Sequence, residues 1–301
     1  MAGRRQWRDR AEAELGPGQP ARRVRAGRFA GPRGHAGAQR GRCGRVAGRH
    51  RRRRSVRPTA LAAPVPDYRA AAGQGVQGLR IGVDAAWNDD VDAATRTVLA
   101  DAADAFRMLG AEIVEVRFPD AAQAVADWFP LCAVEAAVAH EATYPARRDE
   151  YGAVLASVLD QGRALAGTDY QKILLRRMDF RGRVAALFES IDLLLAPVHP
   201  FAPPTLAAMQ SLGAQPEQVS RLLRHTCPFD MSGHPTLTLP GGFADTGLPV
   251  GFQLAAAHLG EATLVRAGAA FQRATSWHRR RPAIRDRAGG DTPAGRSACP
   301  P

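Results

Sequence analysis

The sequence lacks the features that mark several large classes of protein. Its four cysteines are far apart and form no Cys-x-x-Cys pair, which argues against a disulfide framework or a thiolate zinc site and favours a reducing, cytoplasmic location. No apolar run approaches the roughly 20 residues that span a bilayer, so we expect no membrane partner. The first residues contain no apolar segment typical of a secretory signal.

Familiar catalytic and cofactor-binding motifs are also missing. The sequence contains no His-x-x-x-His pair, no Gly-x-x-x-x-Gly-Lys phosphate loop and no Gly-x-Ser-x-Gly turn. We therefore predict neither a metal site nor a cofactor.

The basic charge of the chain is confined to its first segment. Residues 1–58 carry 18 arginines and three acidic residues, a formal charge of +15 against +12 for the whole chain, so the remainder is slightly acidic. This Arg/Gly-rich composition predicts disorder, because it cannot bury enough apolar surface to offset its conformational entropy. It could be a nucleic-acid-binding tail, but the segment has only Trp7 and Phe29 for base stacking, which disfavours a nucleic-acid partner.

Downstream of Pro58 the sequence alternates between apolar and amphipathic stretches. We expect 59–78 to be a Gly-rich linker, 79–282 a folded domain and 283–301 a disordered tail. Apolar and β-branched runs predict strands at 79–84, 112–116, 191–197, 236–240 and 249–254. Helical patterns occupy 91–109, the region 120–190 with a last helix starting near Thr168, 214–225 and 260–274. The strand–helix–strand order at 79–116 favours parallel pairing and the α/β class.

One local cluster of polar residues could carry chemistry: His225, Cys227, Asp230, Ser232 and His234. It could hold a Cys–His nucleophilic pair or a metal, but its spacing is typical of neither. A loop between helix and strand, with its polar groups bonded to backbone, is the simpler interpretation. Lys172 is the only lysine of the chain and could be a catalytic base, yet its place in mid-helix favours a solvated position.

The run from Ser232 to Leu254 places two strands among closely spaced Gly and Pro. It resembles the amidase signature family, whose late motif is Gly-x-Pro-x-x-x-x-Pro-x-Gly-[Phe/Leu] followed by Gly-Leu-Pro-x-Gly-x-Gln. The matching residues are Gly233, Pro235, Pro240, Gly242, Phe243, Gly247, Leu248, Pro249, Gly251 and Gln253. Other stretches fit in the family's order: Leu79 to Asp84, Asp192 to Pro197, Phe229 with Asp230 in place of the family's Asn, and Trp277-His278. The resemblance covers about 58–282.

The resemblance implies the C-terminal part of a truncated amidase-signature fold, a partial mixed sheet flanked by helices. It also implies hydrolysis of carboxylic amide C–N bonds by a Ser–Ser–Lys triad, in which a buried Lys takes a proton through a bridging Ser and so activates the nucleophilic Ser. In the family both serines belong to a Gly-Gly-Ser-Ser-Gly-Gly-type segment. This sequence contains no such segment, so no catalytic residue is assigned.

Two residues are assigned to substrate binding by the resemblance. Arg177 matches a family position that faces the substrate's carboxylate in amidotransferase members, a task that suits a bidentate guanidinium. A surface helix arginine is the alternative. Asp245, just before Gly247, lies near another such position.

The leading interpretation is an amidase-family protein that takes a small amide substrate, is inactive alone and self-associates through its exposed sheet. Residues 1–58 are then interpreted as an out-of-frame translation of GC-rich DNA, since family-like sequence starts abruptly at Pro58. One alternative is a non-catalytic binding protein whose basic tail contacts nucleic acid or an acidic partner. Another is a hydrolase that uses Cys227 as its nucleophile.

Overall fold

A computed structural model of the chain describes residues 63–212 and 215–281. The segment 1–58 and the tail 283–301 therefore lie outside the described residues. The strands are β1 (Arg80–Val83), β2 (Glu112–Glu115), β3 (Leu193–Pro197), β4 (Thr236–Phe243) and β5 (Pro249–Ala256). The α-helices are α1 (Tyr68–Gly73), α2 (Ala93–Met108), α3 (Ala122–Ala139), α4 (Ala153–Ala164), α5 (Gly167–Leu187), α6 (Leu206–Leu212), α7 (Pro216–Leu223), α8 (Cys227–Ser232) and α9 (Glu261–Ala274). Short 3-10 helices cover Arg148–Glu150 and Trp277–Arg279.

The five strands form one mixed sheet in the order β2-β1-β3-β5-β4. Strand β1 pairs in parallel with β2 and with β3, as expected when helical crossovers connect the strands. Strand β5 pairs antiparallel with both β3 and β4. The prediction of an α/β fold with a partial mixed sheet flanked by helices is confirmed, and each predicted strand is found within three residues of its expected ends.

Helices cover both faces of the sheet. The side chains of β3 point alternately into the apolar core on one face and the apolar core on the other. Leu193 and Leu195 belong to the core under α2 and α9, where Phe106, Phe252 and Phe271 contact one another. Leu194 belongs to the core under α3, α5 and α8. Every residue of β3 is buried, as expected for a central strand. None of the described helices is both long and apolar enough to cross a bilayer.

The stretch 59–78, expected to be a linker, departs from that expectation in its described part. Asp67 caps α1, its Oδ1 accepting from the amides of Arg69 and Ala70. Tyr68 is buried, and α1 packs against α9. Arg273 on α9 donates to the carbonyl oxygen of Ala72 at 2.6 Å. Of the glycines that suggested a linker, Gly73 ends α1 and Gly75 and Gly78 follow it, and tertiary contacts hold the helix against the domain.

The helical region 120–190 divides into α3, a 3-10 turn, α4 and α5. The expectation that Thr168 caps the last helix is wrong, because α5 begins at Gly167 and Ala166 stands at its N-cap without a side-chain bond. This end of α5 is exposed, so water can satisfy its amides.

Helices α3 and α4 approach closely at Gly162. A Cβ at this position would overlap the carbonyl oxygen of Ala133 on α3. Glycine is therefore the residue that permits the distance between the two helices.

Candidate substrate-binding site

The side chain of Gln253 on β5 fastens two loops to the sheet. Its Nε2 donates to the carbonyl oxygens of Pro197, at 2.8 Å, and of His225, at 2.7 Å. All three residues are buried. Because Pro197 ends β3 and His225 precedes α8, one amide group positions both the Pro-rich loop and the approach to α8. Gln253 is one of the residues that match the family's late sequence motif, but the motif does not indicate this role.

The polar cluster predicted at 225–234 is spread over α8 and both of its ends. His225 is fully buried, and its Nε2 lies 3.2 Å from the carbonyl oxygen of Trp87. Burial lowers the pKa of His225 to about 4, so the ring is neutral at pH 7. His234 stacks between Phe188 and His258, and burial lowers its pKa to about 3. The two histidines are buried and have different neighbours, whereas Asp230 of the same cluster is exposed.

Cys227 begins α8 but lacks the solvent access and the contact with a base that an activated nucleophile has. It is fully buried, and the free Nδ1 of His225 makes no hydrogen bond to it. Burial raises the pKa of the Cys227 thiol, and the nearby Asp230 and Cys132 raise it further. A reactive cysteine needs a thiolate at neutral pH, so the structure argues against the hydrolase that would use Cys227.

The described residues also contain no group of three or more His, Cys, Asp or Glu side chains that could hold a metal ion. Lys172 is exposed and pairs at 3.0 Å with Asp169, one turn away on α5. Its interpretation as a solvated residue is confirmed.

Arg177 crosses from α5 to the carboxyl end of α8. Its Nε donates to the carbonyl oxygen of Met231 at 2.8 Å, and its Nη2 donates to that of Asp230 at 3.3 Å. The last carbonyls of a helix have no partner within it, and a cation there is favourable to the helix dipole. The side chain is half-buried. Arg177 is thus more than a surface arginine, and two of its donors are committed to backbone.

Five further side chains lie near Arg177 where α3, α5 and α8 pack together, and four of them are within electrostatic reach of its guanidinium. Trp128, Cys132 and Glu135 lie on one face of α3, Tyr170 comes from α5, and Asp230 from α8. The Trp128 Nε1 donates to the Asp230 carboxylate at 3.2 Å. All of them are half-buried except Asp230, which lies at the surface. We call these five residues and Arg177 the three-helix recess.

The side chains of the three-helix recess are partly withdrawn from water, and the pKa values of its titratable groups are shifted accordingly. Burial raises the pKa of Glu135, with Arg177 acting in the opposite direction. Burial also raises the pKa of Asp230, opposed by the bond from Trp128 and by Arg177. The same cause raises the pKa of the Cys132 thiol to about 11, so that this thiol is neutral. The recess therefore contains two carboxyl groups and one guanidinium.

Sequence reasoning missed the contribution of α3 to this recess. Trp128, Cys132 and Glu135 are spaced four and three residues apart, which places them on the same helix face. That spacing was a usable signal, but only the packing of α3 on α5 brings the face to Arg177.

Asp245, the other predicted substrate-binding residue, lies in the exposed turn between β4 and β5. Arg177 contacts the end of α8, just before β4 begins. The eight residues of β4 cover about 25 Å at roughly 3.3 Å per residue. The structure therefore does not bring Asp245 and Arg177 together, and the role of Asp245 stays a prediction.

Comparison with known proteins supplies the family. A model of the family described as Amidase matches residues 45–265. The chain belongs to the amidase family. It is 40% identical over 228 residues to the putative amidase AmiD of Mycobacterium tuberculosis, covering 75% of this chain and 48% of that protein. It is 34% identical over 233 residues to an amidase of Pseudomonas putida, with coverages of 75% and 49%.

Solved amidase structures share the fold. The structure of 6-aminohexanoate cyclic dimer hydrolase superposes with a TM-score of 0.66 at 25% identity, covering 75% of this chain and 52% of that one. The chain spans about half the length of the curated amidase relatives that it matches. The family match begins at residue 45, inside the Arg-rich segment.

Proposed function

We propose that this chain binds a small carboxylic amide as part of an amidase, and that hydrolysis of the C–N bond needs a Ser–Ser–Lys triad that its sequence does not contain. The family match carries the first half of the proposal. The second half rests on the sequence, which has no Gly-Gly-Ser-Ser-Gly-Gly-type segment and whose single lysine is the exposed Lys172. A lysine that acts as a base has to be desolvated so that its pKa falls.

The described residues support a substrate-binding role through positioning. Gln253 holds the loops that follow β3 and precede α8, and Arg177 holds the end of α8 against α5. Rigid support of this kind keeps substrate-contacting groups in place. The three-helix recess is the part of this framework where charged and aromatic side chains meet at the surface.

Hydrolysis of simple aliphatic and aryl amides by the purified chain tests the proposal. We expect no activity from the chain alone. We expect activity when the chain is co-expressed with the segment of the Pseudomonas putida amidase that does not align with this chain. Activity of the chain alone contradicts the missing triad, and an inactive mixture in which both parts are folded contradicts the assignment as an amidase part.

Residues 1–58 lie outside the described residues, and their origin stays part of the proposal. We propose that most of this segment is an out-of-frame translation, although the family match reaches back to residue 45. Translating the upstream DNA in its other frames tests this. The idea fails if no frame yields a Gly-Gly-Ser-Ser-Gly-type segment. A basic tail that binds nucleic acid is the opposing outcome, and a salt-dependent gel shift lost on deletion of 1–58 identifies it.

We also propose a cytoplasmic location and self-association through the exposed sheet. The location rests on the cysteines, since the described Cys132 and Cys227 are free. Self-association rests on β4, which is an edge of the sheet formed by the described residues, because edge strands favour pairing with a second copy.

A further inference from the structure

The three-helix recess has an excess of negative charge over positive charge. Arg177 lies within electrostatic reach of both Glu135 and Asp230 and acts on the pKa of each. When both carboxyl groups are ionised, the single guanidinium leaves a net charge of one negative unit. A carboxylate brought into this recess would meet two like charges and would be repelled by both.

The donors of Arg177 reinforce this point. Its Nε and Nη2 are directed at the carbonyl oxygens of Met231 and Asp230. A bidentate clamp on a substrate carboxylate needs two parallel N–H groups of one guanidinium. These two bonds occupy the Nε edge of the guanidinium, so a clamp on a carboxylate would have to use the edge that carries Nη1.

The donors of Arg177 have acceptors, whereas Glu135 has an acceptor oxygen that receives no hydrogen bond. Its Oε1 is buried and makes no hydrogen bond, which is costly for a carboxylate oxygen. The Glu135 side chain as a whole remains partly exposed, so it lies at the border between the buried helix contacts and solvent. Trp128 and Tyr170 belong to the same recess, and aromatic rings can attract a cation through their π faces.

We propose that Glu135 determines specificity and that the three-helix recess takes amide substrates whose far end is a primary ammonium group in preference to a carboxylate. The inference rests on the proposed function for the role of the ligand as substrate. It departs from the carboxylate-facing role that the family resemblance gives to Arg177. The ammonium pairs with the Glu135 carboxylate, and its charge offsets the excess negative charge of the recess.

Three probes of similar length test the proposal by binding to the full chain at pH 8 in low salt: 4-aminobutanamide, butanamide and succinamate. They share a primary amide and differ at the far end, which is cationic, neutral or anionic. Isothermal titration calorimetry measures the affinities. We expect 4-aminobutanamide to bind about tenfold or more tightly than succinamate, the scale of one partly buried charge pair.

Variants of Glu135 assign the preference to this residue. Glu135→Gln removes the charge and should bring the two affinities within about twofold, whereas Glu135→Asp keeps the charge and should keep the order. Glu141→Gln, an exposed position just beyond α3, is the matched control and should change nothing. The proposal is overturned if succinamate binds as tightly as 4-aminobutanamide, if the preference survives in Glu135→Gln, or if no probe binds.

Failure of this inference and failure of the proposed function give different results. Hydrolysis by the two-part mixture without an ammonium preference contradicts the inference and leaves the amidase role standing. A Glu135-dependent ammonium preference with no hydrolysis in the mixture contradicts the amidase role and leaves the binding site.

Discussion

The Nε atom of Arg177 lies 2.8 Å from the carbonyl oxygen of Met231, so that a side chain of α5 closes the end of α8. Replacing Arg177 with Ala leaves carbonyl oxygens at the end of α8 without their donors. We expect the free energy of unfolding in urea to fall by about 1–3 kcal/mol. Arg177→Lys should cost less, because it keeps the charge at the helix terminus.

The control for this change is Arg183→Ala on the same helix. Arg183 forms an exposed pair with Asp179, one turn away, and such pairs contribute under about 1 kcal/mol. Equal losses in the two variants would show that Arg177 does not support α8.

Gln253 provides a sharper test of buried hydrogen bonding. Gln253→Leu removes the donor that serves both Pro197 and His225, so each buried oxygen loses its partner at a cost of about 1–3 kcal/mol. We expect the thermal midpoint to fall by several degrees. Gln171→Leu, at an exposed position of α5, is the control. A midpoint that stays unchanged in Gln253→Leu contradicts the role of this amide.

Burial of neutral histidines makes the stability depend on pH. The pKa values of His225 and His234 are lowered to about 4 and about 3 in the folded chain, whereas unfolded histidine titrates near 6.5. Protons therefore bind the unfolded chain first as the pH falls. Stability is complete above pH 6.5 and should fall between pH 6.5 and 5 by about 1.4 kcal/mol per pH unit for each histidine.

Urea unfolding at pH 7, 6 and 5 measures this slope. His234→Phe keeps a ring between Phe188 and His258 and should reduce the slope, while His199→Asn at an exposed position should leave it unchanged. The raised pKa of Glu135 acts in the opposite sense, so an overall rise in stability towards pH 5 would mean that the carboxyl groups dominate.

Two Gly→Ala changes in helices should have effects of opposite sign. At Gly162 the new methyl group would overlap the carbonyl oxygen of Ala133, and we expect a loss of about 1–3 kcal/mol from overpacking. At Gly182 on α5 nothing lies within 4 Å of the position that a Cβ would take, so the higher helix propensity of Ala should stabilise by about 0.5–1 kcal/mol. Urea unfolding of both variants checks the pair, and stabilisation at Gly162 would contradict the close approach of α3 and α4.

Self-association through the sheet edge can be tested at Thr238, an exposed position of β4. Sedimentation velocity should show oligomers of the wild-type chain, and Thr238→Lys should shift them towards monomer, because a lysine on an edge strand opposes edge-to-edge pairing. Thr97→Lys, an exposed site on α2, should have no effect. A monodisperse wild-type monomer that melts cooperatively contradicts self-association altogether.

Local sequence patterns correctly predicted the helices and strands whose conformation depends mainly on their own residues. The run at 191–197 is apolar throughout except for Asp192, and it forms the buried central strand β3. Asp92 stood in no recognised capping pattern, yet it caps α2 through the amide of Thr95, so that the helix begins at Ala93, two residues after its expected start. By contrast, the Gly-rich stretch 59–78 concealed α1, whose buried face depends on α9, about 200 residues later.

The candidate site was less predictable for the same physical reason. Family resemblance pointed to Arg177, but its bond to Met231 spans 54 residues of sequence. Glu135 stood in no motif and acquires its environment only where three helices meet. Such environments depend on tertiary packing, which one sequence read locally does not specify.

The place of β3 in the sheet has a consequence for the order in which the chain folds. Strands β4 and β5 form a local hairpin, whereas the junction of β1 with β3 joins residues 112 positions apart, as in the bond from the Arg80 amide to Asp192. Closing so long a loop is slow compared with forming a hairpin. Because β1 precedes β3 by more than 100 residues, β1 leaves the ribosome long before β3 has been synthesised. The nascent chain therefore carries an incomplete sheet until β3, β4 and β5 follow.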